Sequence, residues 1–273
     1  MRRLLLAVVM FGAASAARAA DMPDFLHGSL LPNTPSPRVV WQGFYVGGQA
    51  GYGSSDENFN GSTTTMTQAL LANTLIESAM GVAEWNLGLG KESQRSSGWG
   101  GFAGYNSQWD DVVIGLEMSY LHGNFGGMTS ASEARESLSA LADGNFHSVT
   151  ATSSASISIS DMATFRGRAA YSFGCFLPYL FGGLALGNAD ISRSITVQDF
   201  VSATPFGAGT QLVPLSSDDA VHNHLIYGYT AGVGVDINLV GGLFMRAEWE
   251  YIRFSAQVDT SINTVRAGLG YKF

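Results

Sequence analysis

From Trp41 onward, apolar residues alternate with small or polar ones through most of the chain, and the pattern is clearest at its end, Ile262 to Phe273. Val265, Ala267, Leu269, Tyr271 and Phe273 share one parity; Thr264, Arg266, Gly268, Gly270 and Lys272 share the other. A period of two sends alternate side chains to opposite faces of a strand. One face here suits hydrocarbon and the other suits water. The strand runs to an aromatic last residue, where the end of a soluble protein would more often fray. A closing strand of a membrane barrel accounts for it, with Tyr271 and Phe273 in the aromatic girdle. The same strand is expected to act as the C-terminal signal read by the barrel-assembly machinery.

Seven earlier runs behave alike. Trp41 to Gly53 sends Phe44, Val46, Gly48, Ala50 and Tyr52 outward, and Trp99 to Gln108 sends Trp99, Ala103 and Tyr105 outward with Phe102 inward. Val112 to Leu121 alternates without a break. The fourth run has Thr164, Arg166, Arg168 and Ala170 on its inner face; it is expected to begin early, because Ile157 and Ile159 share the parity of Phe165, Ala169 and Tyr171. Leu177 to Leu186 is apolar on both faces, which leaves its orientation open. Leu225 to Ile237 and Leu243 to Phe254 complete the set. Turn residues at Trp109 to Asp111, Gly174-Cys175 and Asn238 to Gly242 make short links, and Ser255 to Ser261 a moderate one. Long gaps fall at 54–97, 122–153 and 187–222. The expected fold is all-β: an eight-stranded antiparallel transmembrane β-barrel with short periplasmic turns and long extracellular loops. A soluble sandwich also alternates, but it leaves the aromatic ends of the outward faces unexplained.

The phase that turns apolar residues outward turns Glu117, Arg166, Arg168, Arg246, Glu248, Glu250 and Arg266 inward. A mid-depth Arg or Lys facing lipid costs about 2–4 kcal/mol, so the agreement is a check on register. Eight strands enclose a space just wide enough for side chains to fill. The expected arrangement is a structural ion-pair network across the lumen. A gated conduit for small ions is the alternative. Catalysis by Glu248 and Glu250, which share a face, lacks a pocket or a perturbing neighbour in the sequence.

Composition narrows the class. Glycine is abundant (34 residues), charged residues make up 13%, and the net charge is −8. An acidic chain without a basic cluster argues against nucleic acid as a partner. The basic head Met1-Arg2-Arg3, the apolar run Leu4 to Ala14 and the small residues Ala17 and Ala19 predict a removed signal peptide over 1–19. Four prolines (Pro23, Pro32, Pro35, Pro37) predict an extended periplasmic leader over 20–40, ahead of a barrel over 41–273. The single Cys175 excludes an internal disulfide and is read as a turn residue. No cofactor is implied.

In the first gap, the spacing of Leu70, Leu71, Leu75, Ile76 and Met80 within Met66 to Leu89 predicts a short amphipathic helix capping the barrel mouth. In the second, Ser130 to Leu141 is helix-compatible, with Ser132 as a cap. His122, His147, His222 and His224 are candidate metal or haem ligands by residue type, but no acidic or cysteine partner is fixed beside them in the sequence. A Ser/His/acid hydrolase lacks the needed pairing on an outward face, so a non-enzymatic role is expected.

WQGFYVGGQAGYG at Trp41, GYNSQW at Gly104, TFRGRAAYSF at Thr164, FLPYLFGGLALG at Phe176, YTAGVGVD at Tyr229, MRAEWEYIRF at Met245 and VRAGLGYKF at Val265 together resemble the small opacity-like outer-membrane β-barrel family of alphaproteobacteria. The resemblance implies a porin-family envelope protein in the Gram-negative outer membrane, surrounded by lipid and lipopolysaccharide. Members act as surface antigens, adhesins or weak porins, and some bind haemin. It also implies a host or surface ligand at the loops. Pairing of barrels through small outward residues such as Gly48 and Ala50 would give a homo-oligomer. The first two gaps look longer than the family's usual loops.

Overall fold

The computed structural model describes residues 39–273 except 86, 256 and 257, so the predicted signal peptide over 1–19 and most of the predicted leader over 20–40 lie outside the described residues. Eight long strands close into a ring: β1 (Gly43–Asn58), β2 (Lys91–Trp109), β3 (Val112–Glu136), β4 (Phe146–Tyr171), β5 (Phe176–Ser202), β7 (Leu215–Val240), β8 (Leu243–Ser255) and β9 (Asp259–Lys272). Each pairs antiparallel with its neighbours, and β9 returns to β1. A two-residue strand, β6 (Thr210–Gln211), adds to the far end of β5. Between β1 and β2 lie α1 (Thr64–Leu71), α2 (Leu75–Met80) and a 3-10 turn at Val82–Glu84. Asp110, Gly174 and Gly241, with φ of 51°, 59° and 58°, take the left-handed backbone that tight hairpin links need.

The outward parity is apolar where the sequence placed it. Phe44, Trp99, Leu116, Phe165, Tyr229, Trp249 and Leu269 are all exposed on the outer surface. Leu177 to Leu186, undecided from sequence, turns Leu177, Tyr179 and Phe181 inward and Leu180 and Leu184 outward.

Three expectations fail, for related reasons. The gaps at 122–153 and 187–222 are mostly strand: β3, β4, β5 and β7 run for 25, 26, 27 and 26 residues, where about 9–11 cross a bilayer. Ser130 to Leu141 is accordingly not a helix; Ser132 sits in β3 opposite Thr152 of β4. Alternating Val149, Ala151, Ala155 and Ile157 give β4 a buried face above the membrane, and β3 follows it. Tertiary pairing overrides a local spacing that a helix would also tolerate. Ile157 and Ile159 also face inward, at 2% and 0% exposure, not outward with Phe165. The register slips between Ile159 and Asp161, where β4 holds one residue that β5 does not match. That bulge reverses the parity of everything above it. A second slip, near Asn223 (φ 53°), does the same for β7.

The abundant glycines have a positional cause. On the inner face near the periplasmic end, each large ring lies over a glycine directly across the ladder: Tyr45 over Gly104, Phe102 over Gly47, Phe181 over Gly232, Tyr179 over Gly234 and Phe244 over Gly270. With Trp41, Val113 and Leu177 these rings form a closed aromatic floor. A Cβ on Gly104 would stand 2.4 Å from the Tyr45 hydroxyl and 2.7 Å from the Leu116 carbonyl oxygen. Gly104→Val therefore displaces Tyr45 and is expected to lower stability by about 1–3 kcal/mol. A fall in the denaturant midpoint of the folded barrel checks it; an unchanged midpoint would refute the floor.

Candidate functional site in the barrel interior

Directly above the floor, Glu117, Arg166, Arg168, Arg246, Glu248, Glu250 and Arg266 meet at the axis, none more than 4% exposed. They come from β3, β4, β8 and β9, at positions fixed by the period of two and the ladder register: Glu117 opposes Arg166, and Glu248 opposes Arg266. Arg166 donates to Glu117 (2.9 Å), Glu248 (2.9 Å) and Glu250 (3.1 Å). Arg246 donates to Glu117 (2.8 Å) and Asp236 (2.8 Å), and Arg168 to Asp236 (2.7 Å). Arg266 pairs with Glu250 and also donates to Ser119 (3.3 Å).

Asp236, on the inner parity of β7 with Thr230, joins the network that the sequence reading drew without it. With it, four carboxylates balance four guanidinium groups. The signal lay in that parity; what hid it was its nearness to a turn. Also missed were the hydroxyls that complete the carboxylates. Tyr45 donates to Glu117 (2.6 Å), Tyr179 to Glu248 (2.7 Å) and Thr230 to Glu250 (2.6 Å). The flat faces of the guanidinium groups lie on the floor's rings: Arg168 over Tyr179 at 3.8 Å, Arg246 over Phe102 at 3.9 Å and Arg166 over Phe181 at 4.1 Å. Each of these cations therefore has carboxylates in its plane and an aromatic face against it.

Above the charges the interior turns aliphatic. Leu121, Phe125, Ile159, Met162, Ile191, Ile226, Ile252, Phe254 and Ile262 pack into one buried cluster that also takes in Phe59 and Leu89 from the first loop. Higher still, Leu71, Ile76, Val82 and Trp85 cover Val149, Ala151, Ile195 and Val197. The first loop does carry helix where amphipathic spacing placed it, as two short helices rather than one. It is tied down by polar contacts from Thr63 to Ser153 (2.8 Å), from the Ser62 carbonyl to Arg193 (3.0 Å) and from the Leu89 carbonyl to Thr129 (3.0 Å). Glu57 lies in this upper region. It is 1% exposed, opposes Glu92 across the β1–β2 ladder, and burial pushes its pKa up.

Three of the four histidines weighed from sequence, His122, His147 and His222, do have acidic partners, contrary to the sequence reading. His122 Nδ1 meets Asp161 (2.8 Å), which also accepts from Tyr120 (2.5 Å). His147 is held on both ring nitrogens, by Asp199 (2.8 Å) and Asp143 (3.1 Å). His222 stands 3.6 Å from Asp190. Among the described residues no group of three or more His, Cys, Asp or Glu side chains is arranged to hold a metal ion. Cys175 is exposed in its turn. Val265, Leu269, Tyr271 and Phe273 face outward as a row, with Ala267 among them, and the rings of Tyr271 and Phe273 lie 5.2 Å apart.

Two tests follow from this geometry. Arg246→Ala leaves Glu117 and Asp236 short of a buried cation, and is expected to cost about 3–5 kcal/mol, read from the urea midpoint of the folded barrel. Arg246→Lys is expected to recover only part of that loss, because an ammonium cannot present a planar fork to two carboxylates. The second concerns His147. Burial alone would lower its pKa, but the hydrogen bonds and charges of Asp199 and Asp143 outweigh it and raise the value. The charged form is therefore favoured in the folded chain. The stabilisation is fully present below about pH 6.5 and is lost as pH rises through the raised value. Amide exchange over 137–145 is expected to speed up beyond its intrinsic base dependence above neutral pH, and His147→Gln to abolish that excess.

A 25 kDa outer-membrane immunogenic protein of Brucella ovis is 23% identical over 242 residues, which is 89% of this chain and 83% of the relative. Among solved structures, Neisserial surface protein A overlays with a TM-score of 0.33 at 13% identity, covering 84% of this chain and 97% of its own. The attachment invasion locus protein Ail of Yersinia pestis gives 0.32 at 12% identity, covering 85% and 99%. The model of the outer membrane protein beta-barrel domain matches residues 4–273. The chain belongs to that family and is a β-barrel protein of the Gram-negative outer membrane.

Proposed function

We propose that this protein is a closed, non-enzymatic membrane anchor that holds a tall β-wall and its connecting loops on the outside of the cell, in preference to a diffusion channel. The observation that carries this reading is the filled axis. Rings, ion pairs, aliphatic side chains and helices succeed one another from the periplasmic end to the outer mouth. An ion crossing it would have to displace buried, mutually bonded side chains at each level. On this reading residues 1–19 are the export signal, 20–40 the periplasmic leader and 41–273 the barrel. The row Val265 to Phe273 is the segment the assembly machinery engages. The exposed apolar residues at the loop tips, Leu138, Phe206 and Val213, support surface contact, as does a relative described as immunogenic.

Refolded protein inserted into planar bilayers is expected to remain silent at applied potentials on the order of 100 mV. Steady, resolvable current steps would sink the anchor reading in favour of the channel.

A further inference from the structure

The outer surface of the tall wall changes character at one level. Tyr120, Ala163, Leu186 and Tyr227 form a continuous row across β3, β4, β5 and β7. Below that row the outward positions are large and apolar, as at Leu116, Phe165, Leu184 and Tyr229. Above the register slips most of them are hydroxyls, with Met128, Ala134, Gln198 and Ala220 interspersed. One ladder row reads Ser132, Thr152, Thr196 and Ser216. The next reads Ser130, Ser154 and Ser194, ending on Asp218. The lowest of these rows pairs Ser156 with Ser192 between Met128 and Ala220.

Neighbouring strands set these groups about 4.8 Å apart, and alternate residues along a strand about 6.8 Å apart. The hydroxyls already touch in places, Ser132 with Thr152 at 2.9 Å and Ser154 with Ser194 at 3.4 Å. They therefore form a fixed grid rather than a set of loose side chains. The two arginines of these extensions turn away from it. Arg135 lies over the Trp85 ring at 4.8 Å, and Arg193 binds the Ser62 carbonyl and Asp219. The charges left on the outward parity are acidic, at Asp190, Asp218 and Glu136.

We infer that this grid is a docking face for the neutral sugars of the outer-leaflet glycolipid. Two observations choose the occupant. The face stands above the lipid-contacting belt on the same four strands, separated from it only by the row His122, Asp161, Asn188 and Leu225 and the register slips, so whatever stands directly above the acyl chains must lie against it. It also offers donors and acceptors in a flat array without a cation, which suits uncharged sugar hydroxyls and not phosphate groups. Glycolipid sugars packed on the wall would hold the long hairpins upright against the surface. The inference rests on the outer-membrane location and is independent of whether the lumen conducts.

The test compares full-length protein in detergent micelles titrated with purified lipooligosaccharide, with lipid A lacking core sugars, and with the soluble core oligosaccharide alone. Binding is followed by a barrel-unfolding midpoint and by direct titration. The expected result is an apparent affinity for lipooligosaccharide at least tenfold above that for lipid A, with the soluble sugar binding more weakly than either. Thr152→Val together with Thr196→Val removes two hydroxyls with little change of shape or strand propensity, and is expected to erase the difference. Thr152→Ser with Thr196→Ser is expected to retain it. Equal affinity for lipooligosaccharide and lipid A would overturn the inference, as would a difference that survives the valine pair. Soluble sugar binding as tightly as lipooligosaccharide would overturn it too, by pointing to a free glycan. A valine pair that fails to fold leaves the first comparison, on the native chain, to decide.

Discussion

The arrangement depends on keeping four guanidinium groups charged where water is excluded. Moving an ion of that size out of water costs several kcal/mol even after the surroundings relax. A buried ion pair recovers that only with good geometry and with its remaining polar atoms satisfied. Here the condition is met on two axes for most of the network, with Arg168 Nε left as a buried donor without a partner among the described residues. In the plane of each cation are carboxylates from other strands, and those of Glu117, Glu248 and Glu250 accept a further bond from Tyr45, Tyr179 or Thr230. Over the flat faces of three of the cations lie the rings of the floor. Because Glu117 is shared by Arg166, Arg168 and Arg246, no pair can be removed without disturbing the next. Strands that are distant in sequence are thereby fixed at one height. The network sets register and shape; a net gain in stability is not required of it.

The glycines belong to the same constraint. Rings large enough to stack on a guanidinium need room on an inner surface only eight strands around. The room comes from placing glycine opposite each ring, which is why Gly47, Gly104, Gly232, Gly234 and Gly270 all lie on inward parity. Seen only in composition, glycine reads as a turn former or a strand breaker. Seen in the ladder, it is the space into which the floor folds.

This explains what could be read from the chain and what could not. Within the membrane the fold was legible because parity is dictated by two solvents: lipid outside and a charged axis within. Arg166 and Phe165 leave no choice of phase. Leu177 to Leu186 carried no such contrast, and only pairing with β4 and β7 orients it. Above the membrane water lies on the outer side, so outward positions become Ser and Thr, and inward positions shrink to Ala, Val and Ile. The contrast falls, and with it the signal that tells a strand from a loop. A single unmatched residue between Ile159 and Asp161 then inverts the phase. Nothing in the local sequence announces it, because the cause is a mismatch with β5 rather than a preference of Ser160. The acidic partners of His147 were equally hidden, since Asp199 comes to it across a ladder from 52 residues away.

The barrel's two walls differ in height, and that difference gives the first loop its purpose. β8 and β9 span only 13 and 14 residues, and β1 stops at Asn58. β4 and β5 continue well beyond, with Val149, Ala151, Ile195 and Val197 still facing inward. Left alone, that aliphatic surface would face water across the missing half of the ring. Extending the short strands would cover it, at the cost of ordering a further segment on each of them. Residues 59–90 cover it with one segment instead. Leu71, Ile76, Val82 and Trp85 supply the apolar contact, and Thr63, Ser62 and Leu89 are pinned to the tall wall. The first loop is therefore a replacement wall, and its helices are amphipathic because one side meets the strands and the other meets solvent. A chain with that lid removed would expose the apolar surface that stands above the aliphatic plug, so the lid and the tall strands stand or fall together.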